Sequence, residues 1–267
     1  MIREPVVSGQ FYPDEKGDLE LTIAEFSSKE SSKIDAKGVV LPHAGYIYSG
    51  KVAATTVGRV KEKKRILILG PNHACRGVEF GIWPKGKWII PGKEIEVDSQ
   101  LAEEILSKGN LVEESYASHQ NEHSIEVQLP ILAHFFSDFK IVPISCMQAS
   151  IDHYKDVAKQ IFSAIKAYSK ELLIVASTDL THYEPDATVR RKDSSAISAI
   201  INLDENELIR TVHDNKISMC GLAPVAILIS ILKMLGASKA QVALYQTSAD
   251  FSKDYTSAVG YVGIIIK

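Results

Sequence analysis

Residues 65–73 have the sequence RILILGPNH, in which an apolar run leads directly into a histidine. An earlier stretch, GVVLPH at residues 38–43, has the same form. Neither run alternates with polar residues, and unbroken apolar runs of this length are typical of strands covered on both faces. The two stretches therefore predict inner β-strands, with His73 and His43 just beyond their carboxyl ends.

The rest of the chain alternates between strand-like and helix-like stretches. Apolar runs at residues 140–144 and 172–176 predict two more inner strands, and residues 241–245 and 259–266 predict two final ones. Residues 78–98 predict an irregular hairpin. Helical spacing of apolar residues occurs at residues 50–60, 99–108, 125–136, 152–168 and 222–235. This alternation implies crossover connections, so it predicts an α/β fold with a mainly parallel sheet.

The composition is that of a globular protein with a sizeable core. The 267 residues are 45% hydrophobic and 24% charged, and no repeat or linker-like tract divides them. We expect a single domain over residues 1–267, at the upper end of what one core serves. The net charge of −3 comes without a basic face, which argues against nucleic acid as a partner.

The cysteine pattern bears on location. Cys75, Cys146 and Cys220 are widely spaced and form no C-x-x-C pair, so they are not a disulfide framework and we expect a reducing, cytoplasmic setting. The first residues lack the apolar core of a signal peptide, and the longest apolar runs are too short to span a bilayer. No membrane association is expected.

A third predicted strand also leads into polar residues, because residues 177–183 have the sequence STDLTHY. In open α/β sheets, ligands bind beyond the carboxyl ends of the strands. We therefore expect His43, His73, Asp179 and His182 at one edge of the sheet. Imidazole is the commonest metal ligand and an acid or base near neutral pH. A shared metal-type site is favoured over the alternative of unrelated turn and core histidines.

Cys220 lies in the segment SMCGL, just before the apolar helical stretch at residues 222–235. The dipole at a helix N-terminus favours a thiolate over a thiol. Cys220 is thus a candidate metal ligand or nucleophile. The alternative is a small buried residue at a tight helix entry.

The segment HQNEH at residues 119–123 matches H-x-x-E-H, the inverted zinc-protease motif. That motif must lie inside a helix, yet helical apolar spacing begins only at Ile125, so the protease interpretation is disfavoured. Glu122 and His123 could still reach the strand-end site from a helix entrance, with capping as the alternative role. Together with Asn72, which precedes His73, they are our candidate pocket residues.

Six motifs in order resemble the Memo family: VSGQFYP, LPHAGYIYSG, LGPNH, EHSIEVQLP, STDLTHY and MCG. The resemblance runs from about Val7 to Gly263. It implies a fold similar to the class III extradiol dioxygenases, a three-layer α/β/α sandwich around a mostly parallel sheet. The site residues of the family match His43, His73, Asp179, His182 and Cys220.

In those dioxygenases two histidines and a glutamate bind Fe(II), and a further histidine acts as acid or base. The resemblance implies His43 and His73 as metal ligands, Cys220 in the third ligand position and His182 as a proton shuttle. Asp179 would orient or deprotonate a neighbour. The cysteine departs from the dioxygenase pattern, because a thiolate is a softer ligand and oxidises readily. This departure weakens the case for ring cleavage.

We therefore expect a cytosolic metal-binding protein, with iron or copper favoured and zinc as the alternative cofactor. The leading hypothesis is a redox enzyme or oxygenase acting on an unknown small molecule. One alternative is a non-catalytic module that uses the same pocket for an anionic or phosphorylated ligand. The other is a zinc-dependent hydrolase. The oligomeric state stays open.

Overall fold

The computed structural model describes residues 1–27 and 33–267. The strands are β1 Ile2–Arg3, β2 Gly38–Leu41, β3 Arg65–Pro71, β4 Phe80–Ile82, β5 Lys87–Ile90, β6 Lys93–Glu96, β7 Glu113–Glu114, β8 Lys140–Cys146, β9 Leu173–Ser177, β10 His182–Glu184, β11 Ala240–Thr247 and β12 Ala258–Ile266. The helices are α1 Lys16–Phe26, α2 Tyr46–Gly58, α3 Ser99–Ser107, α4 Gln128–Phe135, α5 Ile151–Tyr168, α6 Asp186–Ile201, α7 Glu205–Asp214, α8 Leu222–Met234 and α9 Ser248–Ser252.

The centre of the main sheet is parallel. Its strands lie in the order β2-β9-β3-β8, and each neighbouring pair runs in the same direction. Antiparallel strands flank this centre: β12 pairs with β2, and β4 pairs with β8. Strands β10 and β11 both pair with β12, and β7 pairs with β4. Because β2, β3 and β9 are parallel, their carboxyl ends meet at one edge of the sheet.

Two hydrophobic cores cover the two faces of this sheet. Val40, Leu67 and Leu69 point into one core with helices α3, α5, α6, α7 and α8. The alternate residues Val39 and Ile66 point into the other core with α1, α2 and α4. Side chains alternate between the faces of a strand, which is why apolar residues at every position are needed here. The predicted α/β/α sandwich around a mostly parallel sheet is confirmed.

Several element boundaries differ from the sequence-based expectation. The helix expected at residues 125–136 begins at Gln128, and the helix expected at residues 50–60 begins at Tyr46. The hairpin region contributes β4 to the main sheet, while β5 and β6 form a separate small sheet with β1. Within residues 1–27 and 33–267, no helix is long and apolar enough to cross a membrane.

Candidate metal centre

The three central strands deliver their polar residues to one cleft of about 760 Å³. His43 follows β2, His73 follows β3 and Asp179 follows β9, while His182 begins β10. All four line the cleft, and the ring centroids of His43 and His73 are 5.2 Å apart. The structure therefore brings these four candidate residues together.

Hydrogen bonding at Nδ1 of His43 leaves the Nε2 lone pair of the ring facing Cys220. The hydroxyl of Ser177 donates to the carbonyl of Ser124 at 2.7 Å, and it accepts from the Gln128 amide at 2.9 Å. The remaining lone pair of Ser177 Oγ faces His43 Nδ1 at 2.8 Å, so Nδ1 carries the hydrogen and donates it. Nε2 of the neutral ring then carries no hydrogen and has a lone pair available. Burial also lowers the pKa of His43 well below its ordinary value, with repulsion from His73 adding to the effect.

Glu122 orients His73 in the same way. Its Oε1 lies 2.9 Å from His73 Nδ1, and its Oε2 accepts the backbone N–H of His73 at 2.6 Å. The backbone N–H groups of His123 and Ser124 also donate to Oε1. Burial opposes ionisation of this carboxyl, but the bonds from His73 and the charge of His73 outweigh it and lower the Glu122 pKa to about 2. A carboxylate that holds Nδ1–H of a histidine directs Nε2 toward a metal.

A third histidine completes a cluster with the first two. One ring nitrogen of each of His43, His73 and His123 lies within 4.8 Å of the others. The rings of His73 and His123 are stacked at 4.8 Å, and Phe11 packs on His123 at the same distance. Burial lowers the pKa of His123, which favours the neutral ring. This histidine, expected only as a candidate pocket residue, is thus also a candidate metal ligand.

Cys220 lies beside His43, with Sγ 3.3 Å from His43 Nε2. Two donors on one tetrahedral metal ion are separated by about 3.5 Å, given bond lengths near 2.1 Å to nitrogen and 2.3 Å to sulfur. The expected thiolate at this position is opposed by the burial of the side chain. Burial, together with the charge of Asp179, raises the pKa of the Cys220 thiol above its ordinary value. A metal would have to displace the thiol proton.

Asp179 and His182 form the acid–base side of the cleft. Asp179 Oδ1 accepts the backbone N–H of His43 at 2.8 Å, and burial raises the Asp179 pKa to about 6. His182 Nδ1 lies 2.9 Å from the carbonyl of Ser218, which can only accept, so Nδ1 donates and Nε2 stays available. Asp179 can therefore exchange a proton near neutral pH, and His182 offers Nε2 as a hydrogen-bond acceptor.

Two residues of the sequence motifs lie elsewhere. The Asn72 amide donates to the carbonyl of Arg76 at 2.7 Å and closes the loop after β3, so it does not line the cleft. His119 is fully buried against Trp88, with Nε2 2.8 Å from the carbonyl of Gly81. Residues 119–121 form turns rather than a helix, which removes the geometry that the protease motif requires.

A buried network behind the cluster fixes the loop that carries Glu122 and His123. The Arg3 guanidinium donates to the carbonyls of His119 and Glu122 and forms an ion pair with Glu126. Glu126 also accepts the Tyr12 hydroxyl at 2.7 Å. This network was not predicted, because its partners are more than 100 residues apart in sequence.

Sequence reasoning also missed Ser177 and Gln128, the two residues that orient His43. Gln128 is a polar residue within the apolar segment EHSIEVQLP, and it is fully buried. A polar side chain on a buried face needs a hydrogen-bond partner. That requirement was the available indication of a functional position.

The fold and the cleft together define an α/β protein with a histidine-lined candidate metal centre at the carboxyl edge of its sheet. Residues 3–265 match the family described as Memo-like proteins, and the chain belongs to this family. A MEMO1 family protein of Methanococcus maripaludis strain C6 is 38% identical over 285 residues, covering 100% of both chains. A MEMO1 family protein of Thermotoga neapolitana is 39% identical over 281 residues, again covering 100% of both.

A solved structure is similar in fold. An uncharacterized protein of Escherichia coli K12 superposes with a TM-score of 0.55 and 11% sequence identity, covering 87% of this chain and 100% of its own. At this identity the likeness concerns the fold alone.

Proposed function

We propose that this chain is a metal-dependent redox protein, an oxygenase or a related oxidoreductase, that holds iron or copper through His43, His73 and Cys220. The observation that carries the proposal is the commitment of both Nδ1 hydrogens. Ser177 accepts from His43 and Glu122 accepts from His73, so each ring presents Nε2 as its metal-binding atom. Metal-binding histidines in proteins are oriented by acceptors of this kind.

The donor set fits a transition metal. Two imidazoles and a thiol are borderline to soft ligands, which suit copper, iron and zinc better than magnesium or calcium. His43 Nε2 and Cys220 Sγ already have the separation of two ligands on one ion. The three nitrogens of the histidine cluster, spread over up to 4.8 Å, would have to move closer to share an ion. Cys220, which contacts His43, is the proposed third ligand, and His123, which lies near both His43 and His73, is the alternative.

The other cleft residues supply binding and proton transfer. A bound iron or copper ion would supply one-electron redox chemistry. Asp179, with a pKa of about 6, can hold or release a proton beside the backbone of His43. His182 presents Nε2 to the same cleft, where Phe11 and Tyr48 offer aromatic surface to a small organic substrate. The relation to class III extradiol dioxygenases and a cytoplasmic location are parts of this proposal.

Metal content decides the proposal. Purified wild-type protein should carry about one transition-metal ion per chain, identified by anomalous scattering or plasma mass spectrometry. The His43→Ala, His73→Ala double variant should lose it. A His213→Ala variant is the matched control, because the side chain of His213 is 89% exposed and does not line this cleft. Equal metal in wild type and the double variant would overturn the proposal and favour a metal-free module that captures an anionic ligand.

A second candidate function is hydrolysis by a zinc-bound water. His123 supports it, because three histidines with one open position form a common catalytic zinc site. Chelator-treated protein that regains hydrolytic activity with Zn(II) alone would favour this function. Oxygen uptake that depends on iron or copper, with no activity from zinc, would exclude it.

A further inference from the structure

Tyr261 carries a hydroxyl that the fold leaves without a partner. Its side chain is 2% exposed, and the residue lines the cleft that contains the histidine cluster. Among the described residues no group forms a hydrogen bond with this hydroxyl. The hydroxyl oxygen is not among the fully buried atoms, and the residue lines the cleft, so this hydroxyl is open to a molecule bound there.

The fold holds Tyr261 firmly beside the acid–base residues. Its ring packs in a small hydrophobic cluster with Val52 of α2 and Val259 of β12. The preceding residue, Gly260, accepts the backbone N–H of Leu180 and donates to the carbonyl of Thr181, both at 2.9 Å. These two bonds fix Tyr261 next to the loop that contains Asp179 and His182. The ring of Tyr261 is therefore held in place by packing and by its strand before any ligand binds.

Gly260 allows this close approach. A Cβ atom at position 260 would lie 1.7 Å from Oδ2 of the buried Asp193, whose other oxygen accepts from Thr181. Any side chain at position 260 would collide with Asp193 and Val189 of α6 and push β12 away from that helix. The absence of a side chain thus lets the strand that carries Tyr261 pack closely on α6.

The charge and shape of the surrounding wall indicate the kind of group that Tyr261 meets. Burial raises the pKa of the Tyr261 phenol above its ordinary value, with the charge of Asp179 adding to the effect, so the hydroxyl stays protonated. His182 lines the same cleft, as do Phe11 and Tyr48. A neutral hydroxyl donor among aromatic rings suits an oxygen atom on a planar organic molecule.

We infer that Tyr261 is a substrate-binding residue whose hydroxyl donates a hydrogen bond to a phenolic, carbonyl or carboxylate oxygen of a small planar substrate. The inference deepens the proposed function, since it places the substrate in the cleft beside His43 and His73. It concerns substrate binding and not metal binding. The two can therefore fail separately.

The experiment compares wild type with Tyr261→Phe, which removes the hydroxyl and keeps the ring. Nitrocatechol, a coloured phenolic probe, is titrated anaerobically into iron-loaded protein and followed by absorbance. Loss of one hydrogen bond should weaken its binding by about tenfold. Tyr255→Phe is the matched control, because Tyr255 is 54% exposed and does not line the cleft. It should bind the probe as wild type does.

Metal affinity and thermal stability are measured on the same preparations. Unchanged metal affinity with weakened probe binding in Tyr261→Phe supports the inference. Equal probe binding by Tyr261→Phe and wild type overturns it, as does a wild-type protein that binds no probe. If wild type binds no metal, the proposed function fails instead, and the same titration of metal-free protein decides the role of Tyr261, since Tyr261 lines the cleft.

Discussion

Glu122 binds both the backbone and the ring of His73, with Oε2 2.6 Å from the backbone nitrogen and Oε1 2.9 Å from Nδ1. One carboxylate therefore fixes the position of the residue and the orientation of its imidazole. Glu122 is 2% exposed and lies behind the ring, away from the solvent side of the cleft. Its effect on a metal would be exerted through His73 and through His123, whose backbone N–H it also accepts.

Replacing Glu122 by Gln should weaken metal binding without removing a ligand. The amide can no longer accept from all the donors that surround the carboxylate, and the basicity of His73 falls. Loss of such a partner costs roughly 10–100-fold in metal affinity. Competition with a coloured chelator measures the change. Glu20→Gln, at an exposed site on α1, should leave the affinity unchanged, and an equal loss in both variants would refute the role of Glu122.

Ser177→Ala should destabilise the protein and weaken metal binding together. The change leaves the Ser124 carbonyl, a Gln128 N–H and His43 Nδ1 without their shared partner. Buried groups left unpaired cost about 1–3 kcal/mol. Urea denaturation of metal-free protein gives the stability loss, and metal titration gives the change in affinity. A variant that loses stability but keeps full metal affinity would show that Ser177 does not orient His43.

The stability of the protein should fall as the pH drops from 6.5 to 4 because of His119. Burial is the largest effect on this histidine and lowers its pKa from 6.5 to about 4. Between pH 6.5 and 4, His119 is therefore protonated in the unfolded chain and neutral in the folded chain. The free energy of unfolding is highest above pH 6.5 and decreases below it. The loss is roughly 3 kcal/mol by pH 4, at 1.4 kcal/mol per pKa unit.

The variant that isolates this effect is His119→Gln, which keeps a donor for the Gly81 carbonyl but does not titrate. Urea denaturation at several pH values should give a shallower pH dependence for the variant than for wild type. Parallel pH profiles in the two proteins would contradict the assignment to His119.

The three cysteines should react with alkylating reagents at different rates. Cys75 is exposed, whereas Cys146 is buried and its thiol pKa is raised by that burial. The Cys220 pKa is raised for the same main reason. Since only thiolates react readily, Cys75 should be modified first in metal-free protein at pH 8. Mass spectrometry of timed samples identifies the sites, and rapid modification of Cys220 would show that its thiolate is already present.

Removing one partner of the Arg3–Glu126 ion pair should lower the free energy of unfolding strongly. Replacing both partners by uncharged residues should lower it less. Both side chains are almost fully buried, so Arg3→Met or Glu126→Gln alone leaves an uncompensated charge, at about 3–5 kcal/mol. The double variant should lose less than the sum of the single losses. Chemical denaturation of the four proteins gives the coupling energy, and strict additivity would rule out a direct interaction.

The sequence predicted the sheet well because its inner strands are buried on both faces. Unbroken apolar runs of this length indicate strands covered on both faces, and His43 and His73 follow two of these runs directly. The start of α4 was placed too early, since the turns at residues 119–127 contain apolar residues that pack without forming a helix. The contacts of Ser177 and Gln128 with His43 could not be predicted, because they depend on three-dimensional neighbours rather than on spacing.

His43 and Cys220, whose side chains touch, are separated by 177 residues of chain. On a ribosome that adds about 5–20 residues per second, roughly 10–35 s pass between synthesis of the first donor and synthesis of the last. The emerging polypeptide would therefore expose its early histidines for many seconds before their sulfur partner exists. Under the proposed function, metal insertion would belong to the finished chain, and the order of translation itself would delay it.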